Sequence, residues 1–171
     1  MVEDNRVETK NIIIHLHANF IRNYAIRKAI EDNSVALVEK NLWSILSNSC
    51  LDIAVINWCN LFGAYSESTH WTKCTLRGIT DFENQILNVC AISKEDFESL
   101  HHSIKDYRDR AAAHIDLDDW QVNVPFMLNA YKIVCASTDA LNQHNTLQLD
   151  ASVEYDNQYK ITLALINKAI S

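Results

Sequence analysis

Apolar residues recur along this chain at steps of three and four, the spacing of helices that each bury one face. From Thr9 to about Asp32 they fall at Ile13, Ile14, Leu16, Phe20, Ile21, Tyr24, Ala25 and Ala29, behind a polar lead over residues 1–8. Asn33-Ser34 breaks the pattern and offers Ser34 as an N-cap. The segment from Val35 to about Leu61 is the most hydrophobic. Its Leu42, Ile45, Leu46, Leu51, Ile53, Ala54, Val55, Trp58, Cys59 and Phe62 cover more than half of the circumference. A helix apolar that widely is expected at the centre of a bundle or against a second subunit. Phe62-Gly63 ends it, with Gly63 placed as the glycine just past the helix.

Ala64 to Gly78 is a long connection, of the kind that is packed down or functional. Thr80 and Glu83 form a capping box for a short helix reaching about Ala91. Ser93 caps the next helix, with Asp96 three residues on and a stripe of Phe97, Leu100, Ile104, Tyr107, Ala111 and His114 or Ile115. After an acidic break at Asp116 to Asp119, Pro125 is placed in a first helical turn. Phe126, Leu128, Ala130, Tyr131, Ile133, Val134, Cys135 and Leu141 carry the helix that follows. Ser152 is the cap expected for a last helix from Val153 to about Ile170. The pattern predicts one all-α domain over residues 1–171, an up-and-down bundle of four to five main helices around the 35–61 segment.

Composition supports this reading. Two glycines and one proline in 171 residues leave too few special backbone positions for a sandwich or a doubly wound sheet. They also leave no glycine-rich phosphate loop. The net charge of −7 disfavours broad nucleic-acid binding, which draws on a basic surface, yet allows a small basic cleft. Five cysteines without a C-x-x-C pair read as reduced, mostly buried thiols of a cytoplasmic protein. Charged residues interrupt the first ten positions and no run of 18 apolar residues occurs, so neither a signal peptide nor a membrane span is expected.

The chemistry is concentrated in Tyr107-Arg108-Asp109-Arg110-Ala111-Ala112-Ala113-His114-Ile115-Asp116. Arginine offers a fork of donors to phosphate, and histidine exchanges protons near neutrality. On a straight α-helix Arg108 and His114 stand about 9 Å apart along the axis and roughly 120° apart around it. A local break, a long arginine reach or a second copy is needed to bring them together. Arg110 is the nearer neighbour of His114, at i,i+4. The plainer reading is a helix terminus, where basic residues favour the dipole.

Arg108 to His114 resembles the R-x4-6-H signature of HEPN domains, with the polar Asp109 following the arginine. The form is that of members linked to abortive infection and toxin–antitoxin systems. Asn57-Trp58-Cys59-Asn60-Leu61-Phe62-Gly63, followed by Thr69-His70-Trp71, also looks like that group, so the likeness spans about residues 57–116. The resemblance implies a helical bundle that forms a homodimer and cleaves RNA without a metal at a dimer cleft. It assigns Arg108 to the scissile phosphate, His114 to proton transfer and Asp109 to orienting one of them. Arg110, Lys105 and Tyr107 are then the expected substrate contacts. It also implies a possible nucleotidyltransferase-like antitoxin as partner. Non-catalytic HEPN-like modules that bind a nucleotide, RNA or a protein remain the alternative, beside a structural helical protein.

Other constellations are weaker. His102 and Asp106, with His101 adjacent, supply two or three donors, but Arg110 in the same row opposes a cation, so no metal and no cofactor are expected. His15 and His17 are read as one exposed and one core residue. His70-Trp71 is read as an anchor of the long connection, with lining of the Arg108 cleft by His70 or Arg77 as the other option. Ser34, Ser49 and Ser93 have no histidine–acid pair nearby in sequence.

Overall fold

A computed structural model describes residues 2–34, 40–63, 66, 68–70, 82–112, 123–143 and 148–170. The described residues are helical with no strand: α1 (Val2–Asp32), α2 (Lys40–Trp58), α3 (Phe82–Cys90), α4 (Lys94–Tyr107), α5 (Met127–Gln143) and α6 (Ala151–Ile170). Two π-helical turns extend α2 and α4, at Cys59–Gly63 and Arg108–Ala112. The described residues form six α-helices where four to five main ones were expected; the short α3 is the helix expected to reach about Ala91.

The centre is α1, not the 35–61 segment. It packs against α2, α5 and α6, whereas α2 meets α1, α4 and the Arg108 turn. The sequence explains how. At 31 residues α1 is about 46 Å long, and its buried positions occupy two adjoining faces. Phe20, Ile21, Ala25 and Ala29 are fully buried, and the alanines let neighbours approach closely. Helix begins at Val2, where a polar lead was expected. Residues such as Glu3, Arg6 and Glu8 are competent helix formers.

Helix α2 buries Cys50, Leu51, Ala54, Val55, Asn57 and Trp58. Leu42, Ile45, Leu46, Ile53 and Ile56 are exposed, so much of its apolar circumference faces away from the bundle. By length and composition alone Lys40–Gly63 is apolar enough to cross a membrane, but half of its most apolar window is buried inside the protein, as in a core helix.

The caps show where local chemistry agrees with the pattern. Ser93 caps α4, its Oγ accepting from the Asp96 N–H at 3.0 Å, as expected. Asp150 replaces Ser152 as the cap of α6, because its carboxylate Oδ1 accepts from the N–H groups of Ser152 and Val153, both at 3.0 Å. Pro125 precedes α5 instead of sitting in its first turn. The buried register of α5 runs through Met127, Ala130, Ile133, Val134 and Leu141, leaving Phe126 and Leu128 exposed. Thr80 and residues 35–39 lie outside the described residues.

One end of the core is a run of tyrosines joining α1, α5 and α6. Tyr24 stacks on Tyr131 at 4.5 Å, Tyr131 lies 5.3 Å from Tyr155, and Tyr155 stacks on Tyr159 at 5.8 Å. His17 is sealed beside it, donating from Nδ1 to the Ile13 carbonyl at 2.8 Å and paired through Nε2 with Ser137 Oγ at 3.2 Å. His15 is exposed. The other end carries Trp58, Phe62 and Phe97, with ring centroids 5.1 and 6.2 Å from Trp58, and there the two π turns meet the bundle.

Candidate functional site

Helix α4 delivers the motif. Phe97, Leu100, Ile104 and Tyr107 are buried, so the predicted stripe fixes the helix rotation up to the residue before Arg108. At Arg108 the winding changes from α to π. A π turn closes i→i+5 and re-aims side chains, which is why such turns recur at functional sites. Over Arg108–Ala112 the winding is therefore not that of a straight α-helix. His114, Ile115 and Asp116 lie outside the described residues.

Arg108 is held at the surface by its neighbours. Its Nε and Nη2 both donate to Oδ1 of Asp109, at 2.8 and 2.6 Å. The thiol of Cys59, at the start of the other π turn, is part of the electrostatic surroundings of the guanidinium. The hydrogen bond to Asp109 leads in raising the Arg108 pKa, with Cys59 adding to it, so the charge is retained. Burial pushes the Cys59 thiol up, and the Arg108 charge opposes that shift without cancelling it. The thiol stays protonated near neutrality.

The remaining candidates divide. Arg110 donates from Nε to Asp106 at 2.9 Å, one helical turn back, and both are exposed. Lys105 is exposed, and its charge also reaches Cys59, so Lys105 and Arg108 share one side of the site. Tyr107, expected among the substrate contacts, is turned inward. It is 7% exposed and donates its hydroxyl to Asp52 Oδ1 at 2.8 Å. Burial, then the bond to Asp52, push its phenol far above the ordinary value, so it acts as a neutral donor.

Three residues join the site that the motif does not include. Asp52 is the sole acid of α2, a signal the sequence carried in plain view. Cys59 stands in the string resembling the HEPN group. His101 has Nε2 3.1 Å from the Gly63 carbonyl and its ring 5.9 Å from Trp58, so it secures the first π turn. Gly63 is the last residue of that turn and not a left-handed residue beyond it. A Cβ there would stand 3.2 Å from the Cβ of Cys59, so glycine permits the close approach. His70 is buried and Thr69 donates to the Asn60 carbonyl at 2.8 Å, as the anchoring reading expects. Trp71 and Arg77 lie outside the described residues.

The fold and site define an all-α bundle that presents arginines from a π turn. Comparison with protein-family models, curated proteins and solved structures finds no match.

Proposed function

We propose that this protein is a HEPN-like, metal-independent endoribonuclease of the cytoplasm, acting as a symmetric homodimer, with a nucleotidyltransferase-like antitoxin as candidate partner. The observation that carries the reading is Arg108 itself. It stays charged and 27% exposed on a π turn, and two of its nitrogens donate to the carboxylate of Asp109. A guanidinium so fixed is suited to neutralising charge that grows on phosphoryl oxygens. RNA carries its own nucleophile in the 2′-hydroxyl, so the protein must supply phosphate stabilisation and proton transfer. By the family resemblance His114 takes the second role. The exposed apolar residues of α2 support the dimer, since a single copy leaves them uncovered.

The test is cleavage of RNA in EDTA, leaving 2′,3′-cyclic phosphate ends that disappear with Arg108→Ala and with His114→Ala. One observation favours the second reading, a non-catalytic module binding a nucleotide, RNA or a protein. Both motif arginines already pair with aspartates, Arg108 with Asp109 and Arg110 with Asp106, in a chain of net charge −7. A phosphate must displace these carboxylates. RNA left intact by a protein that still binds it selects that reading.

A further inference from the structure

We propose that Asp52 is the positioning residue of the Arg108 site, acting through the hydroxyl of Tyr107. Helix α2 carries two charged residues in 19, Lys40 at its start and Asp52. A lone acid on such a helix is costly to desolvate unless a donor meets it. The donor is the Tyr107 hydroxyl at 2.8 Å, from a residue 55 positions away and immediately before Arg108.

The bond falls where α4 gives way to the π turn. The backbone N–H of Arg108 still bonds the Ile104 carbonyl of the α register, shared with that of Lys105, so Tyr107 and its bond to Asp52 stand at the last α-helical step before the winding changes. Tyr107 is tied to Asp52, and the Arg108 turn itself packs against α2. The residue immediately before Arg108 is thus pinned to the helix that the turn lies against. The effect of Asp52 is on where the guanidinium stands.

The kinetic part of this inference rests on the nuclease reading, whereas its structural part does not. The experiment compares Asp52→Ala, Asp52→Asn and Tyr107→Phe with the full wild-type chain. Asparagine keeps an oxygen that accepts from the tyrosine, so Asp52→Asn is the conservative rescue. The first readout is the side-chain Nε–H resonance of Arg108 by nitrogen-15 NMR. Wild type and Asp52→Asn are expected to give one slowly exchanging signal away from the bulk arginine frequency. Asp52→Ala and Tyr107→Phe are expected to broaden it or move it to the bulk frequency. The second readout is RNA cleavage, where the same two variants are expected to lower kcat about 10- to 100-fold with KM little changed. The Asp52→Ala/Tyr107→Phe double variant is expected to lose no more than either single one.

An Arg108 signal that stays unchanged in folded Asp52→Ala overturns the proposal. So does a wild-type kcat in that variant while Arg108→Ala is inactive. If Asp52→Ala does not fold, Tyr107→Phe, which removes one oxygen, answers the same question. If the wild-type protein cuts no RNA, the nuclease reading falls, and the Arg108 signal alone then upholds or overturns the role of Asp52.

Discussion

The two π turns share a backbone irregularity and put it to opposite use. Cys59–Gly63 is apolar, with Cys59, Leu61 and Phe62 buried, and side chains from elsewhere meet its carbonyls at Asn60 and Gly63. Arg108–Ala112 carries three charged residues, partly or wholly exposed, of which Arg108 pairs with Asp109 beside it and Arg110 with Asp106 one turn back in α4. The first turn is fastened by distant partners and belongs to the core. The second is neutralised locally and can be re-paired with a ligand at little cost to folding. Helix α2, which runs into the first turn, also packs against the second, so a buried support stands beside an exposed charge, the arrangement a preorganised phosphate site requires.

The sharpest break of this comparison is in activity. Under the nuclease reading, His114→Ala is expected to lower turnover by roughly 10²–10⁴-fold. Arg108→Ala is expected to cost a comparable factor, and Arg108→Lys to recover little, since an ammonium lacks the planar fork. The check is single-turnover cleavage of a defined RNA in EDTA. Wild-type rates in both alanine variants would falsify the assignment of chemistry to this turn.

Stability separates the turns in the reverse sense. Phe62 is 1% exposed and packs on Trp58, so Phe62→Ala is expected to destabilise the fold by about 3–5 kcal/mol. Arg110→Ala removes an exposed i,i+4 pair with Asp106 and is expected to stay within about 0.5 kcal/mol of wild type. Urea denaturation followed by circular dichroism measures both. Equal losses would show that the second turn is as integral to the fold as the first.

His17 supplies a standard for a polar group fastened entirely inside the bundle. Burial lowers its pKa from 6.5 to about 4, with the Ile13 carbonyl acting in the opposite direction. Between those values the unfolded chain binds more protons than the folded one. The stability is therefore complete above about pH 6.5 and is lost as the pH falls toward 4, by an expected total of ~3 kcal/mol. His17→Gln is expected to remove most of that slope in a pH series of urea midpoints. A slope that persists would place the titrating group elsewhere.

The sequence made the helices legible wherever one face is buried. The stripe Phe97, Leu100, Ile104 and Tyr107 and the Ser93 cap follow from spacing and local chemistry, and both stand. It misplaced the hub because periodicity reports how much of a helix is apolar, not which neighbour covers it. The exposed Leu42, Ile45 and Leu46 of α2 contributed as strongly to the pattern as the buried Leu51 and Val55. At the site, Arg108, Asp109, Arg110 and Lys105 were visible as residue types. The π winding was not, since one added residue per turn leaves no mark on composition. Nor was the inward turn of Tyr107, because the partner that fixes it, Asp52, lies 55 residues away.

A third helix end, at Ala91, gives the smallest and cleanest test of how these irregular ends are held. The Ile92 N–H donates to the Leu87 carbonyl at 3.0 Å and the Ala91 N–H to the Asn88 carbonyl at 3.1 Å. This is the paired closure of a Schellman end, with Ala91 at the left-handed position. Its φ of 53° is one that a Cβ makes unfavourable by roughly 1–2 kcal/mol and that glycine adopts without strain. Glycine also gives the unfolded chain more freedom, which returns part of the gain. Ala91→Gly is therefore expected to stabilise the protein by about 0.5–1 kcal/mol, seen as a small rise in the urea midpoint at unchanged m. Unlike the π turns, this end takes no hydrogen bond from a distant side chain among those described, so no tertiary contact is expected to mask the effect. A loss of stability in Ala91→Gly would mean that the alanine methyl is held by packing and that this end, like Cys59–Gly63, is fastened from outside.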